Sequence, residues 1–203
     1  MQSGKSTAAN FLVEKYKYTR VALADPIKQI INHIDIMKNR QVYDLFIKRY
    51  YKLDGDQQKL LFKILDATRG IPKEFPKPRK RLQFLGTDGI RKNIDNQFWL
   101  KLFTNKYKNR KKIVVDDCRF LNEYEFFIDE GFKDLKIKVN PDVQNIRLHE
   151  LYGGSYDTSI LQHPSELEQD IIFSRYPKNI IENDGTLDEF YERIKKWKRK
   201  RRT

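Results

Sequence analysis

The amino-acid sequence predicts an α/β fold, a doubly wound parallel sheet with helices on both faces, and two observations carry that expectation. Short runs of β-branched and aromatic residues alternate along the chain with longer segments whose apolar residues recur at helical spacing. Neither internal repeats nor heptads are present, and single strands alternating with helices favour parallel pairing through crossovers. At 203 residues the chain suits one domain, 1–203, with a helical lobe inserted at about 38–110 and a basic tail at about 195–203.

From Lys5, the residues Ala8, Ala9, Phe11, Leu12 and Tyr16 define one face of a helix, and residues 18–24 (YTRVALA) read as a short buried strand. Pro26 suits the first turn of a second helix, with Asp25 as its N-cap at the strand's exit and Ile27, Ile30, Ile31 and Ile34 as its apolar stripe. Helical pattern continues over 40–70, broken at Asp54-Gly55, before the constrained linker GIPKEFPKPRK. An apolar stretch (RLQFLG) and a polar turn (TDG) lead to a helix at about 95–107, whose Phe98 and Trp99 suit a core better than a base-stacking platform. Ile113-Val114-Val115 is a buried-strand signal with Asp116 and Asp117 at its exit. After it come a helix at 122–130 capped by Gly131, a strand in FKDLKIKV and a helix begun by Asn140-Pro141. A Gly-Gly loop, HPSELEQDI, a strand at 179–182 and a helix from about Leu187 complete the order.

A net charge of +13 points to anionic partners: nucleic acid, a membrane surface or phosphorylated small molecules. Seven cations in KKWKRKRR at 195–202 supply about half of that excess, as a solvated helix end or as a weak nucleic-acid contact. The single cysteine, Cys118, excludes an internal disulfide and a cysteine zinc cluster, and His33, His149 and His163 are too scattered for a histidine metal site. No apolar run approaches the ~20 residues of a membrane-spanning helix, so no membrane partner and a cytoplasmic location are expected.

Gly4-Lys5-Ser6-Thr7 matches the end of the phosphate-binding pattern G-x-x-x-x-G-K-[ST] and opens a helix, where N–H groups and the dipole favour anions. There Lys5 suits a terminal phosphate and Ser6 a Mg²⁺ ion; a merely capped helix is the alternative. Asp117, or its neighbour Asp116, follows a strand as a metal-positioning acid does, although acids also end strands simply because the chain reaches solvent. Arg79, Arg81, Arg91 and Arg119 suit phosphate through bidentate hydrogen bonds. Arg147 reads as a lid arginine or a solvated helix charge. His163-Pro164-Ser165-Glu166 lacks the Gly-x-Ser-x-Gly turn and any oxyanion hole, which rejects a hydrolase triad and leaves a polar loop with a cap at Ser165.

In order along the chain, GKSTAANFL, ADPIK, RLQFLGTDGIR with DNQFW, DDCRFLNE, HPSE and a strand ending in Asn183-Asp184-Gly185 resemble the deoxynucleoside monophosphate kinases of bacteriophages. These are P-loop enzymes of the nucleoside monophosphate kinase class. The resemblance implies a P-loop kinase fold and transfer of the γ-phosphoryl group of ATP to a deoxynucleoside 5′-monophosphate with Mg²⁺, in the host cytoplasm if the source is a virus. It implies that Gly4, Lys5, Ser6 and Thr7 cradle ATP and that Ser6 and Asp117 hold the metal. It places Asp25, Arg79, Gln83, Arg91 and Arg119 on the monophosphate side, and His163 and Glu166 at the sugar or base. Lys5, Arg119 and Arg147 become the catalytic cations, Arg147 closing as a lid. A homodimer is the working expectation for assembly.

One departure stands out. The first glycine of the loop, five residues before Gly4, and the strand delivering it fall upstream of Met1, so Met1 is expected to be an internal methionine of a chain starting about ten residues earlier, the alternative being a complete chain that binds ATP poorly. The alternatives are another small-molecule P-loop kinase, such as a dephospho-coenzyme A kinase, and a basic nucleic-acid-binding module without catalysis. Against the latter, no zinc-finger spacing, RNP motif or helix-turn-helix is evident.

Overall fold

A computed structural model of the chain describes residues 3–74, 78–152 and 164–200. In order, its elements are α1 (Lys5–Tyr16), β1 (Thr19–Val21), α2 (Asp25–His33), α3 (Asn39–Phe46), α4 (Gly55–Gly70), α5 (Arg79–Gln83), a π-helix (Phe84–Arg91), α6 (Phe98–Tyr107), β2 (Ile113–Val115), α7 (Leu121–Asp129), β3 (Lys136–Lys138), α8 (Pro141–Tyr152), α9 (Pro164–Arg175), β4 (Ile180–Glu182) and α10 (Leu187–Arg199). They divide into two units, Met1–Arg20 with Lys112–Thr203, and Val21–Lys111. The lobe expected at about 38–110 lies inside the second.

The architecture is mixed α/β, mostly helical, with short strands. Among the described residues the strands pair two and two, β1 with β2 and β3 with β4. β3 runs parallel to β4, with Lys136 opposite Ile180, Ile137 opposite Ile181 and Lys138 opposite Glu182. In the first unit, Ala8, Phe11 and Leu12 of α1 are buried with Ile137, Phe190 and Ile194, and Val114 and Ile181 pack against them. Phe11 stacks on Tyr191 with ring centroids 4.3 Å apart. α10 begins with a capping box: Thr186 Oγ1 accepts the Glu189 N–H (3.3 Å) and Glu189 Oε2 accepts the Thr186 N–H (2.8 Å). The last turns of this helix, up to Arg199, carry the start of the basic run: Lys198 Nζ donates to the Tyr18 hydroxyl at 2.7 Å, and Trp197 Nε1 to the Asp134 carbonyl at 3.1 Å.

A polar knot sits beneath that contact. Lys136 is buried and pairs with Asp134, which also accepts from the Tyr124 hydroxyl (2.9 Å) and Asn179 Nδ2 (2.6 Å). Burial alone would raise the Asp134 pKa; its bonds from Lys136, Tyr124 and Asn179 outweigh that and hold the carboxyl below its usual value. Burial and the same Asp134 charge push the Tyr124 hydroxyl up.

The second unit is helical. The Ile27, Ile30, Ile31 and Ile34 stripe is buried against Val42 and Tyr43 of α3, Leu61, Ile64 and Leu65 of α4, Leu85 and Ile90 of the π-helix, and Phe98, Trp99 and Leu102 of α6. Phe98 and Trp99 are therefore core residues, Trp99 Nε1 donating to the Gly86 carbonyl at 2.9 Å. Asp54 caps α4 as the Asp-Gly break suggests, accepting the Gln57 N–H at 2.8 Å.

Three local expectations are corrected. Ala24, not Asp25, is the N-cap of α2; Asp25 is its first residue, and its carboxylate turns back to accept the Ala22 N–H at 3.1 Å. TDG is no turn, because the chain runs through it as a π-helix. Its glycines are there for contact: a Cβ at Gly89 would meet Ile64 Cγ2 at 2.5 Å, so α4 packs directly on backbone. Finally, Arg81 is structural. Only 5% exposed, it donates from Nη1 to both Asp35 oxygens (2.9 and 2.8 Å), from Nε to the Ile71 carbonyl (2.7 Å) and from Nη2 to the Arg69 carbonyl (3.0 Å).

Replacing Arg81 by Met removes the donor to two part-buried carbonyls and the arginine partner of Asp35, and is expected to cost about 2 to 3 kcal/mol, measured by urea unfolding. The Asp134 knot makes a pH prediction. With its native pKa depressed, Asp134 stabilises the fold fully above the unfolded carboxylate value of about 3.9 and loses that contribution as pH falls through the lower native value. Asp134→Asn is therefore expected to flatten the acid limb of a Tm-versus-pH curve, and an unchanged limb rejects the assignment.

Candidate active site

The start of α1 is fixed from behind. Gly4 takes φ +96°, a left-handed conformation that favours glycine, and no side chain caps the helix it precedes. Asn183, buried at the exit of β4, donates its Nδ2 to the Ser3 carbonyl at 2.9 Å, and a Cβ at Gly4 would lie 2.4 Å from that nitrogen. Lys5 Nζ donates to Ser3 Oγ at 3.3 Å. A backbone pinned this way before an uncapped helix presents first-turn N–H groups and the positive dipole end in a fixed place, which suits phosphate.

At the exit of β2 a carboxylate faces this helix. Ser6 Oγ donates to Asp116 Oδ2 at 2.8 Å, and Arg20 Nη2, from β1, reaches the same oxygen at 2.6 Å and Ser6 Oγ at 3.3 Å. The Asp116 side chain is only 4% exposed, yet its Oδ1 has no hydrogen-bond partner among the described residues. A buried carboxylate oxygen left unmatched carries a desolvation cost that an arriving cation or donor relieves. Among the described residues no three His, Cys, Asp or Glu gather as a metal cage. Mg²⁺ needs none, since it takes one or two protein oxygens together with substrate phosphates and water. Ser6 Oγ and Asp116 Oδ1 fit that demand. Of the two acids weighed in the sequence, Asp116 is the one whose hydrogen bond to Ser6 the structure shows.

The segment after Asp116 is held by residues that the sequence did not single out. Buried Glu123 accepts the N–H groups of Arg119 (2.8 Å) and Phe120 (3.1 Å). From α9, Glu168 accepts the Leu121 N–H at 2.7 Å, and Gln169 donates to the Arg119 carbonyl at 2.8 Å. The backbone carrying Arg119 is thus fixed by three side chains. A signal existed: Glu123 lies three residues after Phe120, the spacing of a helix-entry acceptor.

The other expected site residues fall elsewhere. Asp25, Arg79, Gln83 and Arg91 belong to the second unit. Within it Arg79 and Gln83 sit one turn apart on α5, and buried Arg91 ends the π-helix, donating to Asn96 Oδ1 at 3.1 Å. Asp25 is engaged by Lys28 at 3.2 Å. Arg147 lies half-buried in α8. Glu166 falls in α9, with its side chain outside what the structure describes, and His163 lies outside the described residues altogether.

Two comparisons bear on this arrangement. The sequence profile of the deoxynucleotide monophosphate kinase family matches residues 63–149, which take in the π-helix and the β2 exit. A provisionally named deoxynucleotide monophosphate kinase of Acanthamoeba polyphaga mimivirus is 28% identical, over 95% of this chain and 89% of its own length. The deoxynucleotide monophosphate kinase of Enterobacteria phage T4 is 23% identical, and an adenylate kinase of Mesomycoplasma hyopneumoniae 24% identical, each over 96% of this chain and 93% of the relative. These relatives' names indicate that the enzyme class is a kinase, a phosphotransferase. More narrowly, the resemblance to the phage and viral deoxynucleotide monophosphate kinases seen in the sequence motifs holds along the chain.

Gly4→Ala is expected to destabilise the protein by about 1 to 3 kcal/mol, combining a left-handed backbone with a 2.4 Å clash. Asn183→Ala in the same chain removes the clash but not the backbone strain. A double-mutant cycle by chemical denaturation should therefore give a non-zero coupling between the two sites, and strict additivity rejects the contact.

Proposed function

We propose that the chain transfers the γ-phosphoryl group of ATP to the 5′-phosphate of a deoxynucleoside monophosphate, giving ADP and a deoxynucleoside diphosphate. The observation that carries this reading is Ser6, at the start of uncapped α1, bonded to a buried carboxylate that keeps one oxygen unmatched. In this account the Gly4–Thr7 backbone cradles the ATP phosphates and Lys5 turns from Ser3 to the terminal phosphate. Ser6 and Asp116 hold Mg²⁺, whose chemistry here is to screen phosphate charge. Asp117 remains beside them as the alternative ligand from the sequence.

The acceptor phosphate is already ionised, so no general base is required; the protein's work is alignment and charge screening. Asp25, Arg79, Gln83, Arg91 and Arg119 are assigned to the monophosphate. Arg119 and Arg147 are assigned to the transferring group, Arg147 from a lid, while His163 and Glu166 are assigned to the sugar or base. Arg119 has support of its own, because its backbone is fixed at both N–H and carbonyl. The fold this reading carries is the P-loop kinase fold, in which a doubly wound parallel sheet takes in both strand pairs. No helix among the described residues is long and apolar enough to cross a membrane, and the site of action proposed is the cytoplasm. The adenylate kinase relative makes AMP a second acceptor to test.

A coupled assay of ADP release, run with each deoxynucleoside monophosphate and with AMP, tests the proposal. Turnover is expected with at least one deoxynucleotide. Lys5→Ala and Asp116→Asn are each expected to lower kcat by about a hundredfold or more. Wild-type turnover in both variants refutes the site.

A further inference from the structure

The metal position in this reading already has a cation beside it. Arg20 is anchored on β1, and its guanidinium reaches Asp116 Oδ2 (2.6 Å), Ser6 Oγ (3.3 Å) and, through Nη1, Asn10 Oδ1 (3.3 Å). Asp116 is buried while the Arg20 side chain is 41% exposed, so the charge lies at the boundary between core and solvent. Ser6 gives its single proton to Asp116 Oδ2, and Arg20 approaches the lone-pair side of the same hydroxyl, the side a metal would use. Two cations contending for one serine oxygen and one carboxylate repel each other strongly at a partly buried site.

We infer that Arg20 is the resident counter-cation of the metal site: it holds Ser6 and Asp116 in position when no metal is bound, and it weakens capture of a free divalent cation. This rests on the reading of Ser6 and Asp116 as the Mg²⁺ ligands. Arg20 is a positioning residue. Its charge makes the site poor for a bare cation and acceptable for a cation that arrives with nucleotide phosphates, because their negative charge offsets the repulsion. The site thereby selects the metal–nucleotide complex over its parts. Asn10, which also accepts from the guanidinium, is neutral and relieves none of the repulsion, so Asp116 and the incoming phosphates supply that relief.

Mn²⁺ binding, followed by electron paramagnetic resonance on the full chain, tests this without turnover. Arg20→Gln, which keeps hydrogen bonding and removes the charge, is expected to bind Mn²⁺ about tenfold or more tightly than wild type in the absence of nucleotide. Arg20→Lys, which keeps the charge, is expected to stay near wild type, and the gap between wild type and Arg20→Gln should narrow when ADP is added. In Mn²⁺-free buffer Arg20→Gln should melt below wild type and recover on adding Mn²⁺, which separates a charge effect from misfolding. Equal or weaker Mn²⁺ binding by Arg20→Gln overturns the inference. In that event the metal assignment survives if Asp116→Asn still weakens Mn²⁺ binding with ADP present. If Asp116→Asn leaves Mn²⁺ binding unchanged with and without ADP, the assignment and the inference both fall.

Discussion

A carboxylate taken out of water must be matched by donors or cations, and the first unit is arranged around how Asp116 is matched. Its one oxygen accepts from a helix and from a strand, Ser6 of α1 and Arg20 of β1, while the carboxylate itself leaves β2. Three elements are thereby fixed to one charge. Asn183 adds a fourth from the exit of β4 by holding the Ser3 carbonyl, so that the ends of two strands converge on one helix start. Without that convergence, Gly4, Lys5 and Ser6 would be a short polar string with no fixed direction in which to present an anion site.

Arg81 in the second unit offers the contrasting case. It too is a nearly buried ion, but its Nε and both terminal nitrogens have acceptors, and the Arg81 guanidinium holds the Asp35 carboxyl below its usual range. An ion matched so fully has nothing left to offer a ligand, and it works by tying the start of α5 to the end of α4. Asp116 keeps one oxygen unmatched among the described residues. The two buried charges differ in this residual valence, and composition cannot reveal it.

Much of the element order was legible, because the strand at Ile113–Val115 and the helix beginning at Leu187 are marked by local features: a β-branched run, and a Thr–Glu capping pair. The buried isoleucine stripe of α2 was equally plain. What stayed hidden depends on contacts distant in sequence. TDG looks like a turn until Ile64 is seen to need the space that Gly89 leaves. Arg81 looks like its neighbour Arg79 until Asp35, far away in the chain, is placed against it. The Ser6–Asp116 bond joins residues far apart in the chain, and Arg20 had no motif to announce it. The motifs pointed to the start of α1 as a candidate phosphate site; they did not reveal how the charge of Asp116 is balanced.

The π-helix at Phe84–Arg91 has a further meaning for how such a sequence can vary. A π turn holds one more residue than an α turn, so it is a register shift stored inside a continuous helix. Substitutions in the segment change side chains and leave the shift alone. Loss of a single residue would let the helix relax to α geometry, rotating Arg91 and everything after it relative to Arg79 and Gln83, and moving Gly86 off the Trp99 indole. Length is thus the constrained quantity in this stretch, and an alignment gap placed here signals a changed site more surely than a changed residue does.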